Sequence, residues 1–415
     1  MQRVILHVDA NSFYASVECL YRPSEREKPL SVCGDPEQRH GIVLASNAIA
    51  KVHGVKTGMA VWQARQVCPE LVTVPPDYRL YQHFSQMMRG IYEQYSDRVE
   101  SFGLDECWVD ISEPQKGMEE GFRKANQIRN RVKNELGITV SVGVSNNKIF
   151  AKLGSDYKKP DAVTVIPPDR FQEMIWGLPA SALLYVGPKT TKKLKESNIH
   201  TIGDLACAPT ELLRYRLGKN GLLLQAFANG WDQAPVMPSV AEEVIKSVGN
   251  STTTPYDIST LEQARCVYYM LAESVAARMR ENGFRTKCVS ISVRTTDLLT
   301  FSCQRTLEFP TCVTSEIAET ACQLFAERYQ HRLPLRSVGI SCSALCGAMA
   351  PVQLDMFGSA QKQEKLEAVD GAIDGIRKRF GFLSIQRGIV LSEPAIAKIN
   401  PKEEHTIHPV AFFAG

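Results

Sequence analysis

Hydrophobic positions near the N-terminus form a short β-branched run, Val4-Ile-Leu-His-Val8, which ends directly on Asp9. Such a run predicts a buried strand that delivers a carboxylate at its end. From Asn11 to Glu18 the spacing turns helical. A mixed segment with turn signals at Pro29, Gly34-Asp-Pro36, Gly41, Gly54 and Gly58 then runs to Pro75-Pro76, as expected of a small subdomain inserted after the first strand. Residues 79–97 read as a helix, Val99 to Ile111 as two short strands around Gly103-Leu-Asp-Glu106, and Ile138-Thr-Val-Ser-Val-Gly-Val144 as a further strand. Strands and helices mixed in this way predict an α+β core.

Beyond Pro167-Pro168 the pattern is helical as far as Asn229-Gly230 and holds the turn Val186-Gly-Pro-Lys189, followed by the basic run Thr190-Thr-Lys-Lys-Leu-Lys195. A linker around Ala234-Pro-Val-Met-Pro238 leads to a β-α-β-β-α-β pattern over residues 242–345. Its first helix places Leu261, Ala264, Tyr268, Leu271 and Val275 on one face and closes at Gly283. In the next strand Val289, Ile291 and Val293 alternate with Ser290, Ser292 and Arg294, which predicts one dry and one polar face. From Gly347 a loop carries Gln353-Leu-Asp-Met-Phe357. An amphipathic helix follows, with Leu366, Val369, Ile373, Ile376 and Phe380 on the side expected to pack or to meet a partner, and Gly381 ends it. No internal repeat or low-complexity tract interrupts the chain.

A chain of 415 residues calls for two to four domains, and 44% hydrophobic with 22% charged residues is the balance of a globular protein with packed cores. Its apolar runs are too short to span a bilayer and the start Met1-Gln-Arg-Val lacks a secretory apolar region, so a cytoplasmic protein without membrane contact is expected. Twelve cysteines without a CxxC pair fit buried free thiols in a reducing compartment, Cys342 and Cys346 included. A formal charge of +3 neither requires nor excludes a nucleic-acid partner.

Asp9, Asp105 and Glu106 offer the hard oxygen ligands that two magnesium ions need. Successive strand side chains point to opposite faces, so Asp105 and Glu106 share a site only where the backbone turns, which Gly103 permits. Taken singly, an Asp-Glu doublet is a solvated turn and a lone Asp9 an end-of-strand cap. The metal reading rests on their combination with the motifs around them.

Val8-Asp-Ala-Asn-Ser-Phe-Tyr-Ala-Ser-Val-Glu18, Ser101-Phe-Gly-Leu-Asp-Glu-Cys-Trp-Val-Asp-Ile-Ser112 and Ser141-Val-Gly-Val-Ser-Asn-Asn-Lys-Ile-Phe-Ala-Lys152 resemble, in order and spacing, the three signatures of Y-family DNA polymerases of the bacterial DinB/UmuC-like kind. The similarity extends over most of residues 1–345. It implies a right-hand polymerase: an α+β palm from residues 1–10 and 78–166, small fingers from 11–77, a helical thumb from 167–233, a little finger from 242–345 and a C-terminal tail from 346–415. It implies translesion synthesis of low fidelity, with roles in DNA repair, the SOS response and mutagenesis. The light, glycine-punctuated segment 35–77 agrees, since it has little mass with which to enclose a nascent pair.

The resemblance also assigns roles. Asp9, Asp105 and Glu106, with the Ala10 carbonyl, correspond to the ligands of two Mg2+ ions. Tyr14 corresponds to the aromatic residue beneath the sugar of the incoming deoxynucleoside triphosphate, with Phe13 beside it, for which core packing is the alternative. Lys159 and Lys51 correspond to triphosphate contacts. Ala48 stands where a tyrosine is usual and Lys51 where an arginine is common, departures that bear on nucleotide affinity and are met in the UmuC-like branch, and Gly103, where serine is frequent, is a smaller departure beside the metal site.

Gly187, Lys189 and Thr190 resemble a helix-hairpin-helix that takes DNA phosphates on backbone N–H groups, with a plain connecting turn as the alternative. Ser290, Ser292 and Arg294, with Lys246 and Ser247, would track the primer-template duplex, with a solvated sheet face as the alternative. Gln353, Leu354, Met356 and Phe357 resemble the peptide that binds the bacterial sliding clamp (beta), with simple packing as the alternative. An accessory-dependent UmuC-like subunit, acting with SOS partner proteins through residues 385–415, is the second function class. A nucleotide cyclase on a similar palm is a third, but it has no use for Tyr14, the hairpin or the clamp peptide.

Overall fold

A computed structural model describes residues 3–35, 41–113, 117–239, 245–329, 333–348 and 359–402. The clamp-like peptide Gln353–Phe357 lies outside these residues. Strands follow in the order β1 (Ile5–Ala10), β2 (Leu30–Cys33), β3 (Val43–Ser46), β4 (Val72–Val74), β5 (Val99–Ser101), β6 (Glu106–Asp110), β7 (Val140–Ser145), β8 (Val163–Val165), β9 (Ser247–Ile258), β10 (Phe284–Thr295), β11 (Thr300–Thr311) and β12 (Leu335–Gly347). Helices are α1 (Phe13–Tyr21), α2 (Ala48–Val52), α3 (Val61–Val67), α4 (Tyr78–Tyr92), α5 (Met118–Leu136), α6 (Lys148–Tyr157), α7 (Phe171–Ile175), α8 (Pro188–Lys195), α9 (Ile202–Cys207), α10 (Thr210–Leu217), α11 (Lys219–Ala228), α12 (Leu261–Glu281), α13 (Thr314–Arg328), α14 (Ser359–Phe380), α15 (Gly388–Leu391) and α16 (Pro394–Ala397). They form two units, one up to residue 239 and one from residue 245.

In the first unit a five-stranded sheet has the order β5-β6-β1-β7-β8, and β1 at its centre is buried along its whole length. The period-2 alternation of β1 divides its side chains between two layers. Leu6 and Val8 join Tyr81, Phe84 and Met88 of α4 and Ala125, Ile128 and Val132 of α5 in one core. Ile5 faces the other way, with Ala151 of α6 and Trp108. Helix α6 starts on Asn147, whose side chain accepts from Phe150 N at 2.8 Å, and it lies very close to β7. A Cβ on Gly143 would sit 1.9 Å from the Ala151 carbonyl oxygen, so only glycine admits the helix at this depth.

A smaller sheet, β3-β2-β4, carries α2 and α3 on its own core of Val43, Ala50, Val61 and Ala64. Helices α7 to α11 form a separate helical core around Ile175, Leu194, Leu205 and Leu224. The segment after α11, expected to be a linker, lacks regular structure but is fastened down. Arg3 donates to Asp232 O and Ala234 O, Met237 N donates to Glu100 Oε2, Ser239 N donates to Asp97 O, and Val236 is buried beside Ile5 and Trp108.

The second unit is a four-stranded antiparallel sheet, β11-β10-β12-β9, with α12 and α13 packed on one face, so the chain order is β-α-β-β-α-β. Val289, Ile291 and Val293 are buried on that face, while Ser292 and Arg294 are exposed on the other and Ser290 is half-buried.

Helix α14 turns its polar side inward and leaves much of its apolar stripe open. Val369, Ile376 and Phe380 are 54%, 39% and 66% exposed, and among the described residues the buried side chains of the helix are Gln363 and Asp370. Asp370 accepts from Thr314 N at 2.7 Å, Arg280 at 3.2 Å and Arg387 at 2.6 Å; Asp374 also pairs with Arg280, Arg377 pairs with Glu273, and Gln363 donates to Pro310 O. The surface that α14 covers presents Arg280 and Glu273, and a buried charge demands a partner more strongly than an exposed aliphatic group demands burial. The helix therefore docks through its polar side.

Candidate active site

The pairing of β1 with β6 puts Asp9 directly opposite Glu106, and the Ala10 N–H donates to the Asp105 carbonyl at 3.0 Å. The turn before β6 runs through Gly103 at φ 101°, a conformation that side chains disfavour, and Phe102 N closes it on Glu106 O. Asp9 is buried; Asp105 and Glu106 are half-buried at the edge of a cavity of ≈ 590 Å³. Ala10, Phe13, Tyr14, Lys51 and Lys159 line the same cavity, so the structure gathers every residue expected at the metal and nucleotide sites. Ligand atoms of His7, Asp9 and Glu106 lie within 4.8 Å of one another.

Basic side chains close over the carboxylates. Lys152 Nζ is 2.9 Å from Asp9 Oδ2, 2.8 Å from Glu106 Oε2 and 3.3 Å from Asp156. Lys159 Nζ is 2.9 Å from Asp9 and 2.7 Å from Asp156. Burial opposes the charge on both lysines, but the surrounding carboxylates outweigh it and hold both ammonium groups above their ordinary range. Lys51 donates to Ser12 Oγ at 2.7 Å; burial and the nearby Lys159 lower its pKa. Burial, then the charges of Glu106 and Asp9, push the Asp105 carboxyl up to about 7.

Tyr14 is half-buried and stacks on Tyr81 of α4, with ring centroids 4.4 Å apart at 16°. Phe13 is 3% exposed and belongs to the core, so its side chain packs while its neighbour faces the cavity. Below the metal-type cluster His7 is wholly buried, between Ser155 on Nδ1 and Glu106 near Nε2, and burial, reinforced by Lys152, holds its imidazole well below the usual pKa.

Lys152, Asp156, Ser12 and His7 were not singled out from sequence. Lys152 and Asp156 follow an i, i+4 spacing that puts a basic and an acidic group on one face of α6, Lys159 lies just past the end of that helix, and His7 stands two residues before Asp9 on the same strand face.

Elsewhere, Gly187 caps α8, leaving Lys189 exposed beside Lys192, Lys193 and Lys195. The helix before this turn is reduced to a 3₁₀ turn, Ala180–Ala182, so the hairpin has one full helix. On the open face of the second unit Ser290, Ser292 and Arg294 pair with Gln304, Ser302 and Thr300 on β11 and with Ser341, Gly339 and Ser337 on β12. The face is a hydroxyl-rich surface with one cation in these rows.

Residues 8–156 match the impB/mucB/samB family and residues 245–356 match that family's C-terminal domain. A DNA polymerase IV of Acetivibrio thermocellus is 50% identical over 399 residues, covering 96% of this chain and 100% of the relative. DNA polymerase IV 1 of Bacillus subtilis is 37% identical over 392 residues, 94% of each chain. Among solved structures, a Y-family DNA polymerase chimera of Dbh and Dpo4 superposes with a TM-score of 0.73 at 24% identity, over 82% of this chain and 98% of the chimera. The likeness supports a right-hand polymerase fold for this chain, with an α+β palm, fingers, thumb and little finger. The paired β1–β6 carboxylates thus sit in a chain that belongs to the impB/mucB/samB family, as a bacterial DinB-type member of the Y family of DNA polymerases.

Proposed function

We propose that this protein is a translesion DNA polymerase that extends a primer on a template by transfer from a deoxynucleoside triphosphate, with its chemistry at the Asp9–Asp105–Glu106 cluster. The observation that carries the reading is the register of Asp9 against Glu106, in one cavity with Tyr14 and three lysines.

The donor set fits hard divalent cations: the carboxylates of Asp9, Asp105 and Glu106 converge on one cavity, and carboxylate oxygens predominate among its possible ligands. Asp9, Asp105, Glu106 and the Ala10 carbonyl would hold two Mg2+ ions, which supply Lewis-acid activation of the attacking hydroxyl and charge neutralisation at the leaving group. The primer 3′-hydroxyl oxygen attacks the α-phosphorus, the bond to the bridging oxygen breaks, and pyrophosphate departs. Phosphoryl transfer of this kind is mainly positioning and charge stabilisation. Lys159 and Lys51 exchange Asp9 and Ser12 for phosphate oxygens. Tyr14, braced by Tyr81, stands beneath the sugar and excludes a 2′-hydroxyl by volume.

The backbone N–H groups at Gly187–Thr190 and the Ser290, Ser292 and Arg294 face are suited to duplex phosphates. Gln353, Leu354, Met356 and Phe357 are proposed to bind the sliding clamp. Among the described residues no helix is long and apolar enough to cross a membrane.

Primer extension by the purified chain, on undamaged and abasic templates, tests the reading. Asp105→Ala and Glu106→Ala are expected to remove extension by roughly 10³-fold or more, several kcal/mol of barrier, while primer-template binding is retained. Wild-type rates in either variant would refute the assignment.

A further inference from the structure

His7 is 0% exposed, wedged edge-on against Trp108 with ring centroids 5.1 Å apart at 64°. Its Nδ1 lies 2.9 Å from Ser155 Oγ, and its Nε2 lies 3.2 Å from Glu106 Oε2. His7 Nε2 has no well-directed hydrogen bond, and the Glu106 Oε2 that it faces is also 2.8 Å from Lys152 Nζ. A buried ring whose unpartnered nitrogen faces a cluster carboxylate is not ordinary core filling, because that nitrogen costs its desolvation when left unpaired.

We infer that His7 is the positioning residue for Glu106: as the Nε2–H tautomer it holds Oε2 from beneath and leaves the other carboxylate oxygen to ligate metal. The tautomer follows from the proton count. A neutral imidazole has one N–H, and the Ser155 hydroxyl has one proton to share between His7 Nδ1 and the Lys152 carbonyl 2.7 Å away. If that proton goes to Lys152 O, the ring proton must sit on Nδ1, and the Nε2 lone pair then faces a carboxylate oxygen, which is repulsive. If it goes to Nδ1, Nε2 carries the hydrogen and meets Glu106 favourably. The carboxylate selects the second arrangement. Ser155 sits on α6 and His7 on β1, so one chain of contacts ties α6 through the central strand to the carboxylate across the ladder. Outer partners that orient ligands in this way typically change metal affinity or activity by about 10- to 100-fold.

The inference rests on the proposed metal site, and its test separates the two. Full-length wild type, His7→Phe, His7→Gln and Ser155→Ala are each assembled with a dideoxy-terminated primer-template and the matching deoxynucleotide, and Mn2+ binding is titrated by electron paramagnetic resonance. Wild type that takes up no Mn2+ in this complex refutes the metal site itself. With the site present, His7→Phe is expected to weaken Mn2+ binding by about tenfold, at unchanged primer-template affinity. His7→Gln, which can return an N–H near the Nε2 position, is expected to recover most of it. In extension assays kcat should fall with KM for the nucleotide little changed. Wild-type Mn2+ affinity in His7→Phe, or a Gln variant as weak as Phe, overturns the proposal. Should His7→Phe not fold, Ser155→Ala decides: it is expected to weaken Mn2+ binding in the same direction by a smaller factor, and unchanged affinity overturns the role.

Discussion

Tyr14 lies flat on Tyr81, and the Tyr81 hydroxyl donates to the buried Glu18 carboxylate at 2.6 Å, so the ring expected beneath the sugar is braced from α4. Tyr78 adds an edge contact, with centroids 6.0 Å apart. A gate that works by volume needs such a brace, because a ring free to swing would yield to the extra oxygen. Tyr14→Ala is expected to lower discrimination against ribonucleotides by roughly 10- to 100-fold. Tyr81→Phe retains the stacked ring and should leave the ratio near wild type. Single-nucleotide incorporation of a ribonucleotide and its deoxy counterpart opposite one template base measures both; an unchanged ratio in Tyr14→Ala moves the gate elsewhere.

Lys159 and Lys51 differ in their partners: Lys159 is held between two carboxylates and Lys51 by a single hydroxyl. Both are proposed to face the triphosphate. Loss of a charged hydrogen bond costs about 1.5–3 kcal/mol, so Lys159→Ala should raise KM for the deoxynucleotide by roughly 10- to 100-fold. Lys51→Arg restores a bidentate fork that lysine lacks and should lower KM. Steady-state kinetics of single-nucleotide addition decide, and equal KM values across the series would remove both lysines from the nucleotide site.

Gly143 sets the depth of α6. An added Cβ would meet the Ala151 carbonyl at 1.9 Å and Ser155 N at 2.5 Å, both backbone atoms that cannot swing aside. Gly143→Ala is therefore expected to destabilise the chain by about 1–3 kcal/mol. Because α6 carries Lys152 and Asp156, its displacement should also slow extension by roughly 10- to 100-fold. Thermal melts with extension rates test this; a variant with wild-type melting would mean that α6 has room to shift.

How far these features could be read from residues alone depended on whether local pattern or a distant surface decided them. The strand ending on Asp9 and the turn at Gly103 follow from local pattern, whereas the metal reading of Asp9 and of the Asp105-Glu106 doublet depends on the combination of the three motifs. His7 was not legible, since a histidine in an apolar run looks like core until Ser155 and Glu106, far off in sequence, are seen against it. Lys152 lay inside a recognised motif, but its ion pairs with Asp9 and Glu106 depend on the approach of α6. The choice between the two roles left open for the apolar side of α14, packing or meeting a partner, lay beyond the pattern for a related reason: periodicity finds the stripe, but Arg280 and Glu273 on α12 determine which side turns inward.

The Gln353–Phe357 peptide separates a recruited polymerase from one that finds primers unaided. The chain is anchored on both sides of it: Ala348 N donates to Gly283 O at 2.7 Å, and Gln363 of α14 donates to Pro310 O at 2.8 Å. Peptides of this kind bind by seating apolar anchors in a preformed pocket, and such anchors carry about 2 kcal/mol or more each. Leu354→Ala with Phe357→Ala is therefore expected to weaken clamp binding by at least roughly 30-fold. Basal extension on short templates should be unchanged, because the peptide lies far in sequence from the carboxylates and belongs to the chain after the sheet of the second unit. Titration of a labelled bacterial clamp with wild type and the double variant, followed by extension with the clamp loaded, gives both readouts. Equal affinities would show that these side chains do not hold the clamp, and loss of basal extension would show that they pack within the fold.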